Sequence, residues 1–548
     1  LIISLIYSPA AADNEITELP NSSGYVLSPL QDTDDPLPEE HLSESGEILA
    51  KISVSGSIDT IPFPIYAHIL GGNGEDYVLV RASGSGLNQT GLPYTELDPY
   101  DRTRSYAIAR YRPGQSVPDI TNITAILYDD GKNLVLRTDR SAGRALLNAG
   151  LTVRWLDHPI VIGEPVLSAA NESAVTYDPR IAAMVVQVRT EDLNQTVCEL
   201  SGEVPAVING SPYTFLTRMT DYAEPITMAT AYGNQELTRP NLSVSYENWT
   251  VGGYSSRNVI ATLPGTTRPE EIVLVTAHVD SYSETARAPG ADDNASGSAA
   301  VLAFARIMDQ YRFERTIRFV LFTGEEQGLY GSGAYAAAAA ARGETIVAVV
   351  NMDMIAWSTS GMKTMEIHTR LPSDTGGYTQ DMTIASTLNQ SAALYGLRPS
   401  LNPVILSDGD EYSDHSSFWA RGYPAVVVYE DWISDPNPFY HTDKDLRSGL
   451  NMNYFTSIAQ VCLATTAHLA VPVDLTGTAL IPGHTGPDYT FNGTYNDGTV
   501  IINQSGTYSL TQNLTTSSED AAIRITGPGI TLNGNQAVLT GEGQGQSG

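Results

Sequence analysis

Residues 271–280 read EIVLVTAHVD, and residues 345–356 read TIVAVVNMDMIA. Each is a near-continuous run of Val, Ile, Leu and Ala that leads to His or Asp, His278 with Asp280 in the first and Asp353 in the second. A strand that is apolar on both faces belongs in a sheet covered on both sides, as parallel strands usually are. The neighbouring segments fit this reading. NVIATL (258–263), TIRFVLFTG (316–324) and YPAVVVYE (423–430) read as strands. SGSAAVLAFARIMDQY (296–311), LYGSGAYAAAAAA (329–341), TIASTLNQSAALYG (383–396) and MNYFTSIAQVCLATTAHLA (452–470) read as helices. Regular alternation of this kind predicts an α/β fold, with a mostly parallel mixed sheet flanked by helices.

In open α/β sheets, functional residues gather at the carboxyl ends of the strands. Five such places carry ligand-type side chains: His278 with Asp280, Asp293 in PGADDNASG, Glu325 with Glu326, Asp353, and His441 in FYHTDKD. A lone His or Asp at a strand end is more often a hydrogen-bonded structural residue. Five together need partners, because burying charge without compensation is costly. Two His and three carboxylates without a thiolate suit zinc, with manganese or cobalt as substitutes. Such a set exceeds one tetrahedral zinc that keeps an open position, and it suits two ions bridged by a carboxylate. Adjacent Glu325 and Glu326 point in different directions, so one is able to ligate while the other acts as a general base.

The stretches AHVDSYSETARAPGADDNASGSAAVL (277–302), FTGEEQGLYGS (322–332), NMDMIAW (351–357), YSDHSSF (412–418) and YHTDKD (440–445) resemble the co-catalytic di-zinc aminopeptidase family. Glutamate carboxypeptidases and glutaminyl cyclases belong to that family too. The resemblance spans roughly residues 180–470 and implies a zinc-exopeptidase fold with two zinc ions per chain. It implies that Asp293 bridges them, with a cis peptide after it. His278 and Asp353 would hold one ion, and Glu326 and His441 the other. Asp280 would orient His278, Glu325 would be the general base, and Tyr440 would hydrogen-bond the developing oxyanion. Asp414 and His415 would be structural supports. GDEYSDH (409–415) departs from other relatives: it lacks a small disulfide, and Asp410 stands where they carry a tyrosine. Aminopeptidase activity is the expected class. Carboxypeptidase, glutaminyl cyclase and a non-catalytic surface-binding role are the alternatives.

The rest of the chain reads as accessory parts. Residues 1–12 look like a signal-peptide remnant, an apolar run ending in Ala10-Ala11-Ala12. Residues 13–40 read as an acidic linker. Residues 41–177 read as a β-rich or α+β accessory or pro-domain, with a helix at 141–148, and residues 178–472 as the peptidase domain. Residues 473–548 read as a small β module, with ITGPGITLNGNQAVLTG (525–541) resembling one coil of a parallel β-helix. The net charge of −32 and the absence of a basic stripe exclude nucleic acid as a partner. No apolar run is long enough to span a bilayer, so membrane insertion is not expected. About a dozen N-x-S/T sequons, among them Asn88, Asn194, Asn248 and Asn513, fit a secreted or cell-surface glycoprotein. Asn294 fits the pattern too, but lies in the candidate site and should be bare. The partners expected are peptides or proteins, with cell-surface or carbohydrate contact through the C-terminal module. Cys198 and Cys462 read as free thiols or as one bridge.

Overall fold

The computed structural model describes residues 46–111, 118–162, 175–359, 363–398 and 400–473, together with the backbone of short strands between 489 and 541. The expected signal-peptide remnant and acidic linker lie outside the described residues. Eight strands open the described chain: β1 (Glu47–Ser53), β2 (Ile65–Leu70), β3 (Asp76–Ser83), β4 (Tyr94–Pro99), β5 (Ser105–Tyr111), β6 (Ala125–Asp129), β7 (Asn133–Thr138) and β8 (Leu151–Trp155). They form two antiparallel sheets, ordered β2-β3-β1-β4 and β6-β7-β5-β8. Helices α1 (Gly84–Thr90) and α2 (Gly143–Asn148) accompany them. These sheets form the N-terminal layer. The layer and the described residues that follow it up to 473 fall in one compact unit.

Helices α3 (Pro179–Val185) and α4 (Thr190–Leu200), the hairpin β9 (Ala206–Ile208) and β10 (Ser211–Tyr213), and helix α5 (Ala223–Leu237) follow. The central sheet is built from β11 (Ser243–Val251), β12 (Tyr254–Leu263), β13 (Arg268–His278), β14 (Arg315–Phe322), β15 (Thr345–Met352), β16 (Thr364–His368), β17 (Asn402–Leu406) and β18 (Ala425–Tyr429). Its order is β11-β12-β14-β13-β15-β18-β16-β17. The middle pairs β14-β13, β13-β15 and β15-β18 are parallel. The flanks depart from that pattern, since β11-β12, β12-β14 and β18-β16 are antiparallel and β17 joins β16 in parallel. Gly252 and Gly253, both at positive φ, close the β11-β12 hairpin with the backbone such a tight turn demands.

Strand β13 explains the two-sided covering. Val273, Val275 and Ala277 pack in one apolar cluster with helices α6 (Ala295–Met308) and α10 (Met452–Ala470). Ile272 and Leu274 point the other way, towards Tyr335, Ala336 and Ala339 of α7 (Tyr330–Ala341) and Phe418 of α9 (His415–Trp419). Alternate residues of one strand therefore serve two cores. Helix α8 (Thr375–Leu394) begins eight residues before the expected 383, because Asp374 caps it by accepting from the Gly377 amide. Helix α5 and strand β11 escape the periodicity reading. Pro225 and Gly233 interrupt the helical pattern of α5, and β11 is largely exposed and polar.

Cys198 on α4 is partly buried, Cys462 on α10 is buried, and both are free thiols. Among the described residues no helix is long and apolar enough to cross a membrane. In the tail, taken by itself, β19 (Tyr489–Phe491), β21 (Gly506–Leu510) and β24 (Ile530–Asn533) pair in parallel. So do β20 (Val500–Ile502) with β23 (Ile523–Ile525), and β22 (Leu514–Thr516) with β25 (Leu539–Gly541).

Candidate metal centre

Every ligand-type residue picked out at a strand end arrives in one cluster. His278 is the last residue of β13, Asp353 follows β15, Glu325 and Glu326 follow β14, and His441 lies in the loop after β18. Asp293 ends the loop into α6, and the peptide bond after it is cis. Asn294 is buried and caps α6, its Oδ1 accepting from the Gly297 amide and its Nδ2 donating to the Met352 carbonyl, which leaves no room for a sugar there. Asn88 and Asn248 are exposed, and Asn194 is half-buried.

Two groups of three buried ligand atoms form, His278–Asp293–Asp353 and Asp293–Glu326–His441, each with its atoms within 4.8 Å of one another. Asp293 is common to both. Its Oδ1 lies 3.3 Å from His278 Nε2, and its Oδ2 lies 3.3 Å from His441 Nε2. Asp353 Oδ1 is 3.4 Å from His278 Nε2, and Glu326 Oε2 is 2.9 Å from His441 Nε2. Ligands on a tetrahedral zinc with bonds of about 2.0–2.2 Å stand roughly 3.3 Å apart, so the spacing fits. Glu325 belongs to neither group, its Oε2 standing 4.0 Å from His278 Nε2.

The electrostatics point the same way. Burial raises Glu325 well above the usual carboxylate range, and burial with the nearby Asp293 charge pushes Glu326 up to about 7. Burial would also raise Asp293, but hydrogen bonds from His278 and His441 outweigh it and lower the carboxyl. Glu326 Oε1 has no hydrogen-bond partner among the described residues. Four buried carboxylates around two imidazoles are an anion-rich site that divalent cations satisfy. A third group, His368–Asp408–Asp410, differs because Arg110 already pairs with Asp410. That group is satisfied by protein cations.

Supporting contacts hold the ligands. His278 turns Nδ1 to the Asp280 backbone carbonyl at 3.2 Å, while the Asp280 carboxylate lies 3.6 Å away. The Asp280 main chain and its Oδ1 thus both face His278 Nδ1. The other oxygen, Asp280 Oδ2, accepts from the Gly324 amide and Thr220, bracing the turn that carries Glu325. Ser413 donates to Asp353 Oδ2 at 2.7 Å. Asp414 and His415 are buried beside the centre, and His415 Nε2 lies 2.7 Å from the Asp410 carbonyl. Tyr440 stacks its ring on His441, centroids 3.7 Å apart.

Sequence reasoning missed two supports. Asp445 Oδ2 accepts the backbone amides of Asp292 and Asp293, at 3.1 and 3.0 Å. Arg218, fully buried, donates to the carbonyls of Val279, Leu200, Pro289 and Gly290, tying down the loop that carries Asp293. The signal available was an Arg inside the apolar stretch FLTRMT (215–220), which no periodicity explains.

Residues 258–466 match the model of peptidase family M28. Leucine aminopeptidase 1 of Trichophyton equinum is 33% identical over 227 residues, 40% of this chain and 59% of that protein. Leucine aminopeptidase 1 of Trichophyton rubrum is 32% identical over 227 residues, again 40% of this chain and 59% of that protein. The chain thus spans less than two thirds of the length of these relatives. The crystal structure of LapB from Legionella pneumophila aligns with a TM-score of 0.50 at 15% identity, covering 67% of this chain and 100% of that one, a likeness of fold alone.

Proposed function

We propose, from the match of residues 258–466 to the model of peptidase family M28, that this chain is a secreted di-zinc exopeptidase that removes residues from the N-termini of peptides. The observation that carries this is Asp293, whose two carboxylate oxygens face His278 and His441 separately, each at 3.3 Å. His278 and Asp353 would hold one zinc, Glu326 and His441 the other, with Asp293 between them. Bound there, zinc supplies Lewis acidity, acidifying water and polarising the scissile carbonyl. Glu325 accepts the proton of the attacking water at its carboxylate and returns it to the amine as the C–N bond breaks. Tyr440, whose hydroxyl is kept protonated by burial and then by the charge of Asp293, donates a hydrogen bond to the carbonyl oxygen as charge develops there. The leucine aminopeptidase names of the relatives support the aminopeptidase class. Exposed sequons at Asn88 and Asn248 support an extracellular setting.

Two measurements test the reading. Metal analysis of the purified chain is expected to give two zinc ions per molecule. Hydrolysis of aminoacyl-nitroanilides is expected in preference to N-acyl dipeptides or cyclisation of N-terminal glutamine peptides. A metal-free protein inert on all three would refute catalysis and leave a surface-binding role, and turnover of only the second or third substrate would reassign the class.

A further inference from the structure

Two tyrosines flank the imidazole of His441. Tyr440 stacks on it, and Tyr282 meets it edge-on with centroids 5.0 Å apart. Each is held by a residue of the N-terminal layer. The Tyr440 hydroxyl lies 3.3 Å from Thr152 Oγ1 on β8, and the Tyr282 hydroxyl donates to Asn148 Oδ1 on α2 at 2.6 Å. We infer that the N-terminal layer is a working part of the metal centre, in which Thr152 and Asn148 are positioning residues for the rings that fix His441. This rests on the reading of the centre proposed above.

The way the layer is joined argues against a prosegment that leaves. Arg110 on β5 pairs with Asp410, and Arg154 on β8 pairs with Glu411 at 3.2 Å, with all four side chains largely buried. Removing the layer would break both pairs and bare the apolar surface that Tyr412 shares with Leu49, Tyr66 and Tyr106 of the layer. Trp155 Nε1 donates to the Gln327 carbonyl at 3.3 Å, one residue beyond Glu326. Trp155 also shares one apolar cluster with Leu134, Leu136, Trp249 and Tyr330. The layer and the turn after the two glutamates thus pack as a continuous core, and a hydrogen bond across that junction keeps a fixed direction.

The test compares Thr152→Val, Thr152→Ser and Asn148→Leu in the full chain. With zinc bound, Thr152→Val is expected to lower kcat on leucine p-nitroanilide about tenfold with KM nearly unchanged, the scale of one lost hydrogen bond. Thr152→Ser, which keeps the hydroxyl, is expected to restore it. In metal-free protein titrated with cobalt(II) and followed by its visible band, Asn148→Leu is expected to weaken one binding step about threefold or more while thermal stability holds. Wild-type kcat in Thr152→Val together with wild-type cobalt binding in Asn148→Leu would overturn the inference. So would equal losses in the Val and Ser variants, or a rise in activity on proteolytic release of the layer. Should the wild type hydrolyse nothing, the catalytic reading fails, while the cobalt titration still decides the positioning of His441.

Discussion

Asp293 and Glu325 show how burial assigns different work to two carboxyls in one cluster. Asp293 is stabilised as an anion by two imidazoles, whereas Glu325 has no such pair and its proton affinity is raised by burial. On the proposed reading, Glu325→Gln should therefore keep the zinc content of the wild type and lose turnover by about 10²–10⁴-fold, the usual share of a general base. Metal analysis beside kcat checks both halves, and near-normal turnover would remove the assignment. Away from the centre, His368 is buried. Burial lowers its pKa, but the charge and hydrogen bond of Asp408, with Glu366, outweigh that and raise it to about 10. A histidine raised in the fold contributes stability that is complete below its unfolded pKa of about 6.5 and is lost as pH rises through about 10. The melting-temperature gap between wild type and His368→Gln should thus be widest near pH ~6 and narrow towards pH ~10. A gap that stays constant across that range would show that the imidazole is neutral in the fold.

Among the elements, helix α6 and strand β15 set the distance between Asp293 and Asp353. A Cβ added at Gly297, in the first turn of α6, would stand 2.4 Å from the Met352 carbonyl oxygen at the end of β15. Backbone does not yield as a flexible side chain does, so Gly297→Ala should push the helix off the sheet. The expected cost is about 1–3 kcal/mol of stability, read from denaturant midpoints. On the proposed reading zinc affinity should fall as well, because Asp293 and Asp353 part; unchanged metal binding would mean that the helix start is free to shift. The same scale shows the reach of periodicity. Strand β13 and helices α6 and α10 were legible because each is apolar where it is buried. Helix α5, marked by Pro225 and Gly233, and strand β11, mostly exposed, were not.

At the scale of the molecule, the N-terminal layer is tied on by charges that neither part satisfies alone. Arg110→Ala takes the paired cation from buried Asp410 and leaves His368 nearby, a change expected to destabilise by about 3 kcal/mol. Thermal melts check this, and a cost below about 1 kcal/mol would mean that the pair is solvated. Residues 41–177 carry no catalytic set of their own in sequence, and their part in the centre becomes visible only where Thr152 meets Tyr440. The chemistry of the ligands was written locally: His, Asp and Glu at the ends of apolar runs are chemically conspicuous, and their strand-end placement follows from the alternation of buried strands and helices. What needed the tertiary structure was everything carried by long-range contact. This includes the antiparallel flanks of the sheet, the buried Arg218 clamp, the Asp445 carboxylate on the amides of Asp292 and Asp293, and the contacts of the layer with the centre. Such contacts join residues tens to hundreds of positions apart through single polar atoms, and a single polar atom leaves no periodic trace in a chain, whereas burial on one face of a helix or strand does.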